Sequence, residues 1–131
     1  MNVLIVDDEP LARERLRQLI SRIDNFMALE HEASNGRDAI DLCVQLQPDI
    51  VLMDIRMPRM DGIATIKAIR ADPGLKSAAV IALSAGVLAS EIEEAMNAGF
   101  DDYLTKPLIA DAIYKVLAGI VGIALETKTV S

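Results

Sequence analysis

The sequence predicts an α/β domain built on a parallel sheet, and three observations lead there. Short apolar runs, with Val3–Val6, Ile50–Met53 and Ala79–Leu83 the clearest, have the length and composition of strands buried on both faces. They alternate with stretches whose apolar residues recur at helical spacing, and a crossover of that length returns the chain parallel to the strand it left. Aromatic residues make up only 3% of the chain and Trp is absent, so the core is aliphatic, as suits this class.

Val3–Val6 runs straight into Asp7-Asp8-Glu9-Pro10, so the first strand opens on an acidic loop. Pro10 fits the first turn of a helix, where no backbone donor is lost. Ala12, Leu16, Leu19, Ile20 and Ile23 form the apolar stripe of that helix. Arg13, Arg15, Arg17 and Arg22 lie off it, either as a solvated face or as a docking surface for an acidic or phosphorylated partner. Met27–Ala33 alternates weakly, with charges at Glu30 and Glu32, and reads as an edge strand containing His31. With no second His or Cys nearby, His31 is not expected to bind a metal. Asn35-Gly36 turns the chain, Ala39, Ile40, Cys43, Val44 and Leu46 mark a second helix, and Pro48 stops it.

Ile50–Met53 is the central strand and delivers Asp54 to a loop. Asp61 can cap a third helix with apolar positions Ile63, Ile66 and Ile69, ended by Pro73-Gly74. Ala79–Leu83 ends at Ser84-Ala85-Gly86. Ser90 and Glu93 have capping-box spacing for a fourth helix through Ile92, Ala95 and Met96, which Gly99 terminates. Asp102–Thr105 is a short last strand closed by Lys106-Pro107. Ile109, Ala112, Ile113, Val116, Leu117 and Ile120 make a final amphipathic helix. Ala118 to Leu125 is then apolar on all sides, as a helix end buried against something or an interface once joined to more chain. Glu126 to Ser131 should fray.

With 131 residues and no internal repeat or low-complexity linker, the chain reads as one domain. A net charge of −7 gives no general attraction for nucleic-acid phosphates, so direct nucleic-acid binding is not expected. The N-terminus lacks the basic and apolar layout of a signal peptide, and no apolar stretch reaches membrane-span length, so a cytoplasmic protein without membrane contact is expected. Cys43 is the sole cysteine, has no internal disulfide partner, and lies in an apolar helical pattern where it serves as packing.

In a parallel sheet all strands end on one edge, and ligands bind there, near the point where the strand order reverses. Asp7 and Asp8 end the first strand, Asp54 the third, Ser84 the fourth and Lys106 the fifth. We therefore expect Asp54 to accept a phosphoryl group. Three carboxylates within about 4–6 Å repel by several kcal/mol even at a dielectric near 20, so the cluster calls for a cation. A hard divalent ion, Mg²⁺, suits oxygen ligands of this kind. Asp8 and Asp54 are the expected direct ligands, with the Arg56 backbone carbonyl as a third and Asp7 acting through water. Phosphoryl transfer asks chiefly for positioning and charge neutralisation. The metal can take one transferred oxygen, Lys106 another, and the Ser84 hydroxyl with the Ala85 amide a third, while Asp54 attacks to give an acyl phosphate. Singly, Lys106 reads as a surface lysine, Ser84 as a turn residue and Asp7-Asp8-Glu9 as a complement to a helix dipole. Jointly those plainer readings leave three acids uncompensated.

The segments VDDEP, LMDIRMPRMDG, ALSAG and DDYLTKP resemble the motifs of response-regulator receiver domains of two-component signalling (CheY-like), in matching order from Val3 to about Leu117. The resemblance implies a flavodoxin-like (βα)5 fold, with a five-stranded parallel sheet of order 2-1-3-4-5 and helices on both faces. The domain would span 1–121, with 122–131 as a C-terminal tail. It further implies phosphorylation of Asp54 by a histidine kinase or histidine phosphotransfer protein, dependence on Mg²⁺, and a cis peptide before Pro107. A switch is implied as well: Ser84 moves toward the phosphoryl group, Tyr103 turns inward, and the face of the fourth helix, fifth strand and fifth helix is reshaped for a downstream output protein or domain. Such a protein is a signalling module, its phosphoryl acceptance and hydrolysis self-catalysed, rather than an enzyme acting on other substrates.

Ser84 stands where Thr is commoner in the family, and Arg56 and Gly86 occupy variable positions that tune phosphoryl lifetime. DDEPLARERLR resembles receivers joined to LytR-type DNA-binding domains, whereas AGFDDYLTKPL resembles those of hybrid histidine kinases. An unusual member, a splice of two lineages and a receiver excised from a hybrid kinase or transcription regulator all fit, and homodimer formation is left open. Two rivals are weaker. A dehalogenase-like aspartyl-phosphate phosphatase wants Asp-x-Asp at one strand end and a cap domain. A flavodoxin-like ligand binder wants a Gly-, Ser- and Thr-rich loop where Asp7-Asp8-Glu9 would repel a phosphate.

Overall fold

The computed structural model describes residues 1–55, 62–75, 77–84, 89–106 and 108–130, with 89, 91 and 121–130 given through their backbone alone. Its elements follow the predicted alternation: β1 (Asn2–Val6), α1 (Pro10–Ser21), β2 (Met27–Ala28), α2 (Gly36–Leu46), β3 (Ile50–Asp54), α3 (Gly62–Ala71), a 3₁₀ turn (Pro73–Leu75), β4 (Ala79–Ser84), α4 (Ala89–Ala98), β5 (Asp102–Thr105) and α5 (Ala110–Val130). All strand pairs are parallel and the order is β2-β1-β3-β4-β5. This is the flavodoxin-like order expected from the sequence.

The continuous apolar runs are explained by what covers them. Successive residues of a strand point to opposite faces, and here both faces are occupied. Leu4, Val6, Val51, Met53, Val80 and Ala82 face a cluster with Ala39, Cys43, Ile66, Ile69 and Ala95, from α2, α3 and α4. Val3, Ile5, Ile50, Leu52, Ile81 and Leu83 face another with Leu16, Leu19, Ile20, Ile113 and Leu117, from α1 and α5. Cys43 is fully buried, and burial pushes its thiol up to about 11, in keeping with packing rather than reactivity.

Pairing register positions the site. Val6 lies beside Met53, Asp54 beside Leu83, and Ser84 beside Thr105, so the carboxyl ends of β1, β3, β4 and β5 finish nearly level. The order reverses at β1, which turns to β2 on one side and to β3 on the other. The residues following β1 and ending β3 therefore meet at the crevice.

Several expectations need correction. The edge strand expected over Met27–Ala33 pairs only at Met27–Ala28, and the chain rejoins β1 through a single bridge between Val6 and Ala33. Between them residues 30–32 leave the ladder, because Arg17 donates to the Leu29 carbonyl at 2.6 Å and Arg13 and Arg17 both hold Glu32. His31 is thus exposed and outside any strand. Asn35 does more than turn the chain. It caps α2, its side chain accepting from the Asp38 N–H at 2.9 Å while donating to the Asp38 carboxylate at 3.0 Å. Val44 lies outside the apolar stripe, half exposed at 50%. Helix α4 starts at Ala89, which puts Ser90 inside the first turn rather than at the expected cap. Asp61 lies outside the described residues. Gly99 ends α4 as expected, at φ 126°, a left-handed conformation that favours glycine. Helix α5 runs to Val130.

The Asn35 cap generates a test. Asn35→Ala should lower the free energy of unfolding by about 1 kcal/mol, measured by urea denaturation, with the denaturant dependence unchanged.

Candidate functional site

Asp7 follows β1 directly and is fully buried, a costly place for a carboxylate unless it is paired. It is paired throughout. Its N–H donates to the Ala33 carbonyl at 3.0 Å, and its carbonyl accepts from Arg13 Nη1 at 2.7 Å. Its Oδ1 accepts from the Glu9 N–H at 3.0 Å, and its Oδ2 accepts from Lys106 Nζ at 2.9 Å. Asp54, the last residue of β3, is buried, and its Oδ2 accepts from the same Lys106 Nζ at 3.1 Å. Lys106 is seated by its own backbone, whose N–H donates to the Ser84 carbonyl at 2.8 Å as β5 ends alongside β4. Asp8 lies exposed at the rim, and one carboxylate oxygen from each of Asp7, Asp8 and Asp54 falls within 4.8 Å of the others. The Ser84 side chain is buried at the end of β4.

The four strand ends singled out from the sequence therefore converge. One feature of the expected site changes. The acids were read as uncompensated, with Lys106 reserved for a transferred oxygen; instead Lys106 bridges Asp7 and Asp54 and compensates part of their charge. Asp8 takes no hydrogen bond among the described residues. Burial pulls the Lys106 pKa down, but the hydrogen bonds to Asp7 and Asp54 and their charges outweigh it, leaving the ammonium above its ordinary 10.5.

Two contributors escaped the sequence reading. Gly62 donates its N–H to the Ile55 carbonyl at 3.0 Å, and a Cβ there would sit 2.5 Å from Ile55 Cα and 3.2 Å from the Asp54 carbonyl oxygen. Glycine is thus required to hold the chain leaving Asp54, and the Asp-Gly pair before an apolar helical stripe was the available signal. Arg13 is the other. The arginines of α1 were read as a solvated face or docking surface, yet Arg13 and Arg17 are turned inward onto Glu32 and backbone carbonyls, and Arg15 donates to the Leu108 carbonyl at 3.4 Å. Tyr103 stands outward on β5 with 40% of its surface exposed. Arg56, Ala85, Gly86 and Pro107 lie outside the described residues, and with them the expected carbonyl ligand, amide donor and cis peptide.

The family model for the response regulator receiver domain matches residues 3–118. The chain belongs to this family. It is 40% identical over 119 residues to the chemotaxis protein CheY of Thermotoga maritima, a match covering 87% of this chain and 95% of that one. It is 62% identical over 63 residues to a positive alginate biosynthesis regulatory protein of Pseudomonas aeruginosa, covering 48% of this chain and 25% of that protein. Among solved structures, the receiver domain of the response regulator NarL from Mycobacterium tuberculosis superposes with a TM-score of 0.83 at 31% identity, covering 92% of this chain and 96% of that one. The chain thus spans nearly all of the chemotaxis relative but only a quarter of the alginate regulator. It is a receiver domain of two-component systems, and no likeness favours the phosphatase reading. No helix among the described residues is long and apolar enough to cross a membrane.

Removing Lys106 leaves two buried carboxylates facing each other. Lys106→Met should cost about 3 kcal/mol of stability in metal-free buffer, the lower part of the range for a broken buried pair because the site opens at its rim. The pair's contribution is full below about pH 10.5 and is lost as pH rises through the elevated folded value. Wild-type stability should therefore fall above that pH by an increment that Lys106→Met lacks, as read from denaturation curves at neutral and alkaline pH. Gly62→Ala should also destabilise and should blunt any chemistry at Asp54, checked by melting and by phosphodonor labelling.

Proposed function

We propose that this receiver accepts a phosphoryl group on Asp54 from the phosphohistidine of a histidine kinase or histidine phosphotransfer protein. The observation that carries the reading is the single ammonium of Lys106 lying 3.1 Å from Asp54 and 2.9 Å from Asp7 at the carboxyl edge of the sheet. A buried acceptor carboxylate, a fixed cation and a buried hydroxyl at Ser84 are what transfer to an aspartate needs.

The donor set suits a hard divalent cation, since among the described residues it offers carboxylate oxygens without nitrogen or sulfur and keeps one acid, Asp8, exposed and without a hydrogen bond. Asp8 and Asp54 would hold Mg²⁺ directly, Asp7 through water, and the Arg56 carbonyl would complete the protein ligands. The ion, when bound, neutralises charge on the acids and on the transferred oxygens.

Asp54 attacks the phosphorus, a P–O bond forms as the P–N bond breaks, and the electron pair leaves on the imidazole nitrogen of the donor. Lys106 takes one phosphoryl oxygen and the Ser84 hydroxyl another. Burial at the strand end keeps the nucleophile aligned and limits attack by water on the product. When Ser84 moves toward the phosphoryl group, the outward Tyr103 turns into the space beside β5, altering the surface of α4, β5 and α5 that an output protein or domain reads. Acceptance and hydrolysis are self-catalysed, and the protein works in the cytoplasm without contacting nucleic acid itself.

Intact mass after incubation with acetyl phosphate and Mg²⁺ should rise by one phosphoryl group, mapped to Asp54. Asp54→Asn should retain the fold and gain no label; stoichiometric labelling of that variant would remove Asp54 from the role. Millimolar Mg²⁺ should raise the melting temperature of the wild type, because the ion binds only the assembled site.

A further inference from the structure

Every polar atom of Asp7 is engaged, but its carbonyl bond has a distinct consequence. That oxygen belongs to the peptide joining Asp7 to Asp8, so a donor held on it fixes the plane from which Asp8 departs. The donor is Arg13 Nη1, at 2.7 Å. The guanidinium is itself clamped, its Nε donating to Glu32 Oε1 at 3.1 Å, while Arg17 holds the other oxygen of Glu32 at 2.7 Å. The Asp8 carboxylate has no hydrogen bond among the described residues, and the backbone that carries it beside Asp54 starts at the peptide Arg13 holds.

We propose that Arg13 is a positioning residue for the divalent-cation site: its guanidinium holds the Asp7–Asp8 peptide so that Asp8 presents its carboxylate beside Asp54. The inference rests on reading the acid cluster as a Mg²⁺ site. It also opposes simple electrostatics. A fixed positive charge next to an acid cluster repels a second cation, so by Coulomb's law alone its removal tightens Mg²⁺ binding. Positioning has the opposite sign, because groups behind the first ring of ligands orient them and their loss weakens metal binding.

Mg²⁺ titration of the EDTA-stripped full chain by calorimetry, with the Mg²⁺-dependent rise in melting temperature as a second readout, separates the two. Arg13→Ala should bind Mg²⁺ about tenfold more weakly or worse. Arg13→Lys, which keeps a cationic donor for the carbonyl, should recover affinity over Arg13→Ala although it restores the repelling charge. Arg17→Ala makes the same charge change and loosens the same loop without touching Asp7, and should weaken Mg²⁺ binding less than Arg13→Ala does. Binding by Arg13→Ala as tight as or tighter than wild type, or equal weakening by Arg17→Ala, would overturn the proposal. If Arg13→Ala fails to fold by circular dichroism, Arg13→Lys and Arg13→Gln carry the comparison, the amide being a neutral donor that should bind more weakly than wild type. Absence of saturable Mg²⁺ binding by the wild type would instead sink the metal reading and this inference with it.

Discussion

Two carboxylates can sit in the interior of this protein, side by side, because one ammonium reaches both. Asp7 and Asp54 lie at the ends of neighbouring strands, and Lys106 is carried to them from the end of β5, 52 residues from Asp54 in sequence. Burying either acid alone would cost several kcal/mol. The arrangement holds only if three strands end level, so the parallel register and the ion pairs depend on each other. The apolar runs of β1, β3 and β4, covered on both faces, supply the rigidity that keeps charged groups at hydrogen-bonding distance.

The central sheet was legible in the sequence because its strands are buried on both faces and leave uninterrupted aliphatic runs. Asp54 was legible for a related reason: a polar residue at the abrupt end of such a run has to leave the interior along the shared edge, whereas Lys106 was marked by the Lys-Pro step that closes the short last strand. Met27–Ala33 misled because weak alternation reports only that some residues face inward. It says nothing of whether the backbone ladder is made, and side chains of α1 take the carbonyls there instead. Arg13 and Arg17 were opaque for the same reason, since a residue off the apolar stripe of a helix has no sequence signal separating solvent from a partner fifteen or more positions away. The need for glycine at Gly62 follows from a close backbone approach that only coordinates reveal.

The acid loop and the loop after β2 are parts of one construction. Arg13 joins the Asp7 carbonyl to Glu32, Arg17 joins Glu32 to the Leu29 carbonyl, and Ala33 closes the circuit by accepting from the Asp7 N–H. Charge-assisted hydrogen bonds to partly buried groups are stronger than neutral ones, so this circuit stiffens a stretch with little apolar packing of its own.

The brevity of β2 reaches beyond the single molecule. A long, regular margin on a sheet is a template onto which a neighbouring polypeptide can add its own strand. Here the β2 margin offers only Met27 and Ala28 before the backbone veers away behind Glu30, His31 and Glu32. A chain arriving from that side meets ionised side chains and carbonyls already claimed by arginine, and finds no ladder on which fibrous stacking could begin.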